Sequence, residues 1–271
     1  MKKIRDYLYE IENKENKWKY DYGYKVLNEK LNCLDTPSII TIFSPIAKGK
    51  TTFALNMVFS LAQYDNNILY LTNRENGATI SKKLLAIASG LNIRNICNNN
   101  FSDDEKALFK ETKEILSGFN VYIKEIKKEH DIESTVKEFI DLKINNEQKF
   151  IVYDEYVDDE GVLEVLSKIS KSFNINVIII ARNNTCTYTT YETLLASLDK
   201  KLEQISDCII GVHRKDCFSF NAIDEVLIHI FRVQNSTPIS MKYNFCISNF
   251  IYEEKEEMDL ATLISFEDLP F

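Results

Sequence analysis

Residues 44–55 read Ser-Pro-Ile-Ala-Lys-Gly-Lys-Thr-Thr-Phe-Ala-Leu, and this stretch decides the fold. Gly49-Lys50-Thr51 has the form of the end of a phosphate-binding loop. An apolar run, Ile39-Ile40-Thr41-Ile42-Phe43, precedes it, and a helix-like stretch from Thr51 to about Tyr64 follows. Strand, tight loop and helix in that order are the context the motif needs. Backbone N–H groups of such a loop, together with the helix N-terminus, converge on phosphate oxygens. Lys50 is placed to neutralise phosphate charge, and the Thr51 hydroxyl to take one Mg²⁺ position. With Ser44, Lys48, Gly49 and Thr52 they make the candidate cofactor site, for ATP with Mg²⁺. Ser44 stands where the motif's first glycine is expected.

Outward from the loop, strand and helix signals alternate. Residues 68–71, 121–123, 150–153, 177–181 and 208–212 read as strands, the fourth almost pure Val and Ile and so buried on both faces. Residues 80–89, 103–117, 132–142, 162–173 and 191–205 read as helices. Ser102 with Glu105 forms a capping box at the second of these. Residues 226–233, 239–245 and 247–252 read as consecutive strands. The alternation predicts an α/β fold with a mostly parallel central sheet, helices on both faces and an antiparallel C-terminal extension.

Bulk properties narrow the class. A chain of 271 residues with 45% hydrophobic and 27% charged residues can bury a core without disulfides. No run approaches the ~18 apolar residues of a membrane span, and the charged start reads as no signal peptide. Six scattered cysteines without a C-x-x-C pair suggest a reduced, cytoplasmic chain with no zinc site. Residues 253–271 hold seven acids and one lysine, so they account for −6 of the net −8. The near-neutral remainder can still carry a local basic groove.

Asp154 follows the strand at 150–153, the pattern of a carboxylate that holds Mg²⁺. Glu155 beside it, and Glu75 just past the second strand, are candidates for polarising an attacking water. Residues 4–18 carry Ile4, Leu8, Ile11 and Trp18 at helical spacing, either a helix on its own domain or an arm for a neighbouring subunit.

These residues together resemble the RecA-like ATPase domain of DnaB-type replicative helicases, over roughly residues 20–252. Residues 22–29, YGYKVLNE, look like that family's T-G-F-x-x-L-D segment, and residues 49–56, GKTTFALN, are similar to its G-K-T-A-F-A-L-N. Residues 82–86 sit where the family has R-L-L-A. Residues 151–154 look like its I-V-I-D, and residues 202–207 like its I-E-Q-D-A-D. The resemblance implies a RecA fold, ATP and Mg²⁺, self-association into a ring or filament with nucleotide between subunits, and single-stranded DNA. It sets a helical arm (1–20) apart from the ATPase domain (21–252), and the acidic composition of residues 253–271 predicts a disordered tail.

Departures are also visible. An ungapped match puts the family's catalytic glutamate on Arg74, next to Glu75, and its polar sensor glutamine on Arg182. Its terminal K-x-R-N becomes Arg232-Val233-Gln234-Asn235, so Arg232 can serve as a catalytic cation while Gln234 is uncharged where an arginine finger is expected. The expected DNA contacts are Arg182, Asn183 and Tyr188, with Lys200 and Lys201 beyond them. The final residues, including Asp268, Leu269, Pro270 and Phe271, look like the terminal peptide of bacterial single-stranded-DNA-binding proteins. Such a tip docks on replication or repair partners. Two functions follow as expectations: an ATP-dependent helicase or translocase with weakened hydrolysis, or a RecA-fold single-strand-binding or annealing protein with little turnover.

Overall fold

The computed structural model describes residues 19–34, 37–127, 130–142, 148–156, 160–182, 198–214, 223–233 and 238–258. The arm before Lys19 and the tail after Met258 lie outside them.

β1 (Ile39–Ser44) is buried along its whole length, because parallel neighbours cover both of its edges and helices cover both of its faces. Around it stand β2 (Asn67–Thr72), β3 (Val121–Glu125), β4 (Lys149–Tyr156), β5 (Asn176–Arg182) and β6 (Cys208–Arg214). The sheet continues through β7 (Ile223–Val233), β8 (Ile239–Cys246) and β9 (Ile251–Met258). The nine strands lie in the order β3-β2-β4-β5-β1-β6-β7-β8-β9. Pairing is parallel from β3 to β6 and antiparallel from β6 to β9. The expected α/β architecture with its antiparallel extension is therefore the one observed.

Period-two alternation sorts the strand side chains into two apolar layers. Ile40, Ile42, Val152, Ile178 and Ile180 pack under α1 (Lys25–Leu31) and α2 (Lys50–Gln63). Ile39, Phe43, Ile151, Val177 and Ile179 pack on the other face, against α6 (His130–Asp141) and α7 (Glu160–Phe173). The remaining helices are α3 (Gly77–Ser89), α4 (Ile93–Asn98), α5 (Asp103–Ser117) and α8 (Lys200–Ile205). α5 has the expected capping box between Ser102 and Glu105.

α2 is the central helix, with eleven of its fourteen residues buried. A helix apolar on nearly every side must be enclosed. Phe53 shows how: it stacks on Tyr24 at 5.5 Å and meets Tyr243 and Tyr252 edge-on at 6.2 and 5.3 Å. Aromatic groups from the start of the domain, from α2 and from β8 and β9 thus share one cluster.

Several boundaries differ from the sequence reading, and the following have a clear local cause. α3 starts at Gly77, not Ile80, because Asn76 caps it by accepting from the Thr79 N–H at 2.8 Å. β4 runs through Asp154 to Tyr156, with an irregularity in its pairing to β5 at that point. No single helix spans 191–205: Asp199 is extended (ψ 126°) and its carboxylate caps the Lys201 N–H, so α8 begins at Lys200. Residues 247–250 form a turn rather than a strand, closed by the Phe250 N–H on the Cys246 carbonyl with Phe250 at φ +62°. β9 then continues to Met258, so the first part of the acidic run pairs with β8. An acidic edge strand is tolerable because its outer side faces water and its charge discourages further pairing.

Among the described residues no helix is long and apolar enough to cross a membrane.

Phe53 is fully buried. Phe53→Ala is expected to lower the free energy of unfolding by about 3–5 kcal/mol, measured by denaturant titration.

Candidate functional site

The loop of residues 45–49 leaves the C-terminal end of β1 and enters α2, at the sheet edge where open α/β folds bind ligands. Its backbone is left-handed at Ala47 (φ +62°) and again at Gly49 (φ +100°), which curls the chain back on itself and clusters its N–H groups. Gly49 is obligatory on two counts. Its φ disfavours a side chain, and a Cβ there would collide with the Tyr252 hydroxyl. That hydroxyl donates to the Gly49 carbonyl at 3.1 Å, and the Phe53 N–H donates to the same oxygen at 2.8 Å. Tyr252 therefore ties the loop to β9.

The loop residues divide by role. Lys50 opens α2 and is 3% exposed, beside the clustered N–H groups. Thr52 is buried within the first turn of α2, where its carbonyl accepts from Asn56. Ser44 is fully buried and its hydroxyl donates to the Pro45 carbonyl at 3.0 Å, so it shapes the loop's entry instead of presenting a donor outward. Lys48 donates to the Arg214 carbonyl at 2.7 Å, pinning the loop to the end of β6.

Thr51 and Asp154 are 103 residues apart in sequence, and the fold joins them: the Thr51 hydroxyl donates to Asp154 Oδ1 at 3.2 Å. Asp154 is 1% exposed. Its Oδ2 accepts from the Tyr70 hydroxyl at 2.7 Å. Burial first, and the Asp154 charge second, hold Tyr70 well above the usual phenol range, so it stays a donor. Hard oxygen donors from Thr51 and Asp154, beside an N–H-rich loop with a buried lysine, fit a magnesium nucleotide.

Glu75 sits at the adjacent strand end. β2 pairs with β4 so that Thr72 lies opposite Asp154, and the Asn73 N–H donates to the Asp154 carbonyl at 3.0 Å. The Thr72 hydroxyl accepts from the Glu75 N–H and donates to the Glu75 carbonyl, both at 3.1 Å, which folds the turn that presents Glu75. Lys83 of α3 donates to both Glu75 oxygens at 2.6 Å. The two side chains are 15% and 25% exposed. Glu155 lies in β4, and its side chain is outside the described set.

The other expected residues are not gathered here. Arg232 is exposed on β7 and donates to the Glu203 carbonyl at 2.9 Å. It pairs with Ile209, which is level with Thr41 and not with the loop, so it does not serve its own nucleotide site. The expected DNA set is split. Lys200 and Lys201 are exposed on α8, whose Leu202 packs in the layer opposite α2. Arg182 ends β5 next to Ser44. Asn183, Tyr188, Gln234 and the four tail residues Asp268, Leu269, Pro270 and Phe271 lie outside the described residues.

Sequence reasoning missed Tyr70, Thr72, Lys83 and Tyr252. Tyr70 left one trace, a phenol between two leucines in the middle of β2.

The model of the DnaB-like helicase C terminal domain matches residues 20–250. The chain belongs to this family. Replicative DNA helicase DnaB of Buchnera aphidicola subsp. Acyrthosiphon pisum (strain APS) is 24% identical over 229 residues, covering 76% of this chain and 50% of that protein. The same helicase from Buchnera aphidicola subsp. Schizaphis graminum (strain Sg) gives 24%, 76% and 49%. The chain thus spans about half the length of these curated relatives.

Solved structures agree on the fold. A DnaB-like replicative helicase, described with its interactions with primase, superposes with TM-score 0.81 at 16% identity, covering 93% of this chain and 68% of that one. A second solved structure, an ATPase domain on its own, gives 0.80 at 16%, with 93% and 97% covered. The RadB recombinase gives 0.56 at 16%, with 88% and 100% covered. The expected RecA-like α/β fold is the one found.

Tyr70→Phe removes one oxygen and leaves the ring. It is expected to weaken Mg²⁺ affinity in the nucleotide complex by about 10–100-fold, the usual cost of losing an outer-shell partner. Mn²⁺ titration followed by electron paramagnetic resonance measures it.

Proposed function

We propose that this chain is an ATP-dependent motor of the DnaB type, a helicase or translocase acting on single-stranded DNA in replication. The observation that carries the reading is the contact between Thr51 and Asp154, which assembles a metal-binding pair at the mouth of a left-handed loop. Lys50, Gly49 and the backbone of the loop hold the phosphates. Bound Mg²⁺ would neutralise charge on the β- and γ-phosphates. A water attacks the γ-phosphorus, the bond to the β–γ bridging oxygen breaks, and ADP leaves with the electron pair. Glu75 orients that water and takes its proton, with Lys83 setting the position of the carboxylate.

Self-association into a ring or filament fits the place of Arg232, which can reach a nucleotide only if that nucleotide lies on another subunit. Residues 1–20 are then the subunit-linking arm. The last four residues, Asp268-Leu269-Pro270-Phe271, form a docking peptide for replication or repair proteins.

A second reading has its own support. Lys83 holds both oxygens of Glu75 at 2.6 Å in a pair that is largely shielded from water. With both oxygens engaged by Lys83, the carboxylate has less freedom to turn toward a water, which favours a single-strand-binding or annealing protein that binds ATP and turns it over slowly.

Turnover in the presence and absence of single-stranded DNA separates the two. Under the motor reading Glu75→Gln lowers DNA-stimulated turnover by about 10²-fold or more while nucleotide affinity holds, and Lys50→Ala removes both. A parent protein that binds single strands yet shows no DNA-stimulated turnover establishes the second reading. Truncation before Leu269 is expected to abolish capture of partners that recognise the terminal peptide of single-stranded-DNA-binding proteins, measured by calorimetry, with ATP binding unchanged.

A further inference from the structure

The turn of residues 247–250, between β8 and β9, reaches more of the molecule than a hairpin requires. The Ile93 N–H at the start of α4 donates to the Ser248 carbonyl at 2.7 Å. Asn249 Nδ2 donates to the Gly90 carbonyl, just past the end of α3, at 3.4 Å. The Asn56 amide donates to the Thr52 carbonyl of its own helix, α2, at 2.9 Å and to the Phe250 carbonyl at 2.8 Å. Two residues further on, the Tyr252 hydroxyl holds the Gly49 carbonyl. A short segment of the antiparallel extension is therefore tied to α2, to α3 and to the phosphate loop.

Phe250 is left-handed, at φ +62°. A bulky residue is an outlier there, and glycine would turn the chain at less cost. Such a conformation persists only where its surroundings fix it. Here the Phe250 N–H donates to the Cys246 carbonyl and the Asn56 amide donates to the Phe250 carbonyl, both at 2.8 Å. The ring so held is half-buried and packs against both the main core and the small cluster of Ala86, Leu91 and Ile96. Lys83 Nζ stands over its face, 6.0 Å from the centroid. That same ammonium donates to both oxygens of Glu75. A lysine side chain is long and loses much rotamer freedom when it is fixed. Shielded from water, its charge is attracted by the electron-rich face of a ring.

We propose that Phe250 is a positioning residue for Glu75: its ring confines the Lys83 ammonium, and the confined ammonium sets where the carboxylate points. The proposal rests on the reading of Glu75 as the group that orients the attacking water. It adds a partner contributed by the antiparallel extension, so that the segment from Phe250 to Tyr252 registers the carboxylate against the phosphate loop. A ring that only fills space is replaceable by an apolar side chain of similar size. A ring that confines a cation is replaceable only by another aromatic face.

The test uses the full chain and reads Lys83 directly. Ammonium protons held in hydrogen bonds give a cross-peak in a proton–nitrogen correlation spectrum, and free exchange with water removes it. Lys83→Met assigns the peak. Phe250→Leu keeps apolar volume and is expected to lose the peak, whereas Phe250→Tyr keeps the aromatic face and retains it. With saturating ATP, Mg²⁺ and oligothymidylate, Phe250→Leu is expected to lower kcat by about 3–30-fold, the span for a cation over a ring from exposed to desolvated surroundings, with KM for ATP changed about twofold or less. Phe250→Tyr restores kcat. In the Lys83→Met background Phe250→Leu has no further effect, because the ring acts through the ammonium. Phe250→Met takes the place of the leucine variant if that one melts early. An unchanged cross-peak in Phe250→Leu overturns the proposal. So does an equal fall in kcat in both backgrounds, which marks a packing role alone. Glu75→Gln is the reference for the underlying reading. If turnover survives that substitution, or the parent has none, the catalytic role of Glu75 has failed and the cross-peak alone decides whether Phe250 places the carboxylate. If Glu75→Gln loses turnover while Phe250→Leu changes neither the peak nor kcat, only the present proposal has failed.

Discussion

The seating of the α2 N-terminus is the constraint on which the rest of the structure depends. Gly49 must be left-handed for the loop to turn, and it must lack a Cβ for the Tyr252 hydroxyl to reach its carbonyl. One turn further, Phe53 fills a cluster made by Tyr24, Tyr243 and Tyr252. The same few residues therefore shape the candidate phosphate loop and close the core between the parallel sheet and its antiparallel extension. Aromatic rings contribute large buried areas with restricted geometry, so the loop's position follows from packing that extends well beyond it.

A second consequence concerns how the candidate site is made polar inside an apolar fold. Asp154 is buried near the end of β4, where an unsatisfied carboxylate would be costly. Hydroxyls from two other elements meet it, Thr51 from α2 and Tyr70 from β2. Next to it, the hydroxyl of Thr72 folds the turn that carries Glu75, and Lys83 neutralises that glutamate from α3. The two carboxylates thus have different surroundings: the Thr51 and Tyr70 hydroxyls reach Asp154, and the Lys83 ammonium pairs with Glu75. Such a contrast lets neighbouring acids take different roles.

Much of this was legible in the chain. The run from Ile39 to Leu55 announced strand, loop and helix, because a fully buried parallel strand reads as continuous apolar sequence and a phosphate loop needs glycine at its sharp turn. Asp154 was legible from its place after an apolar strand, and the capping box at Ser102 from its spacing. The miss at residues 247–250 has a local cause: alternating apolar residues read as strand, yet the chain must reverse there for β9 to return along β8. The acidic run from Glu253 suggested an exit from the fold, but an edge strand accepts charge on its outer side. At 191–205 the periodicity was helical, but Asp199 prefers to cap the following turn.

Composition and local pattern alone determined the fold class and the candidate residues for a phosphate and a metal, because hydrophobic periodicity and glycine placement act over a few neighbouring residues. Tertiary structure alone decided which of the remaining polar residues share a site. Tyr70, Lys83 and Tyr252 joined the loop's surroundings, Arg182 moved beside Ser44, and Lys200, Lys201 and Arg232 were set apart from it. Strand order is the physical reason. It makes β5 the neighbour of both β4 and β1, and that adjacency arises from contacts among segments distant in the chain, which no local spacing records.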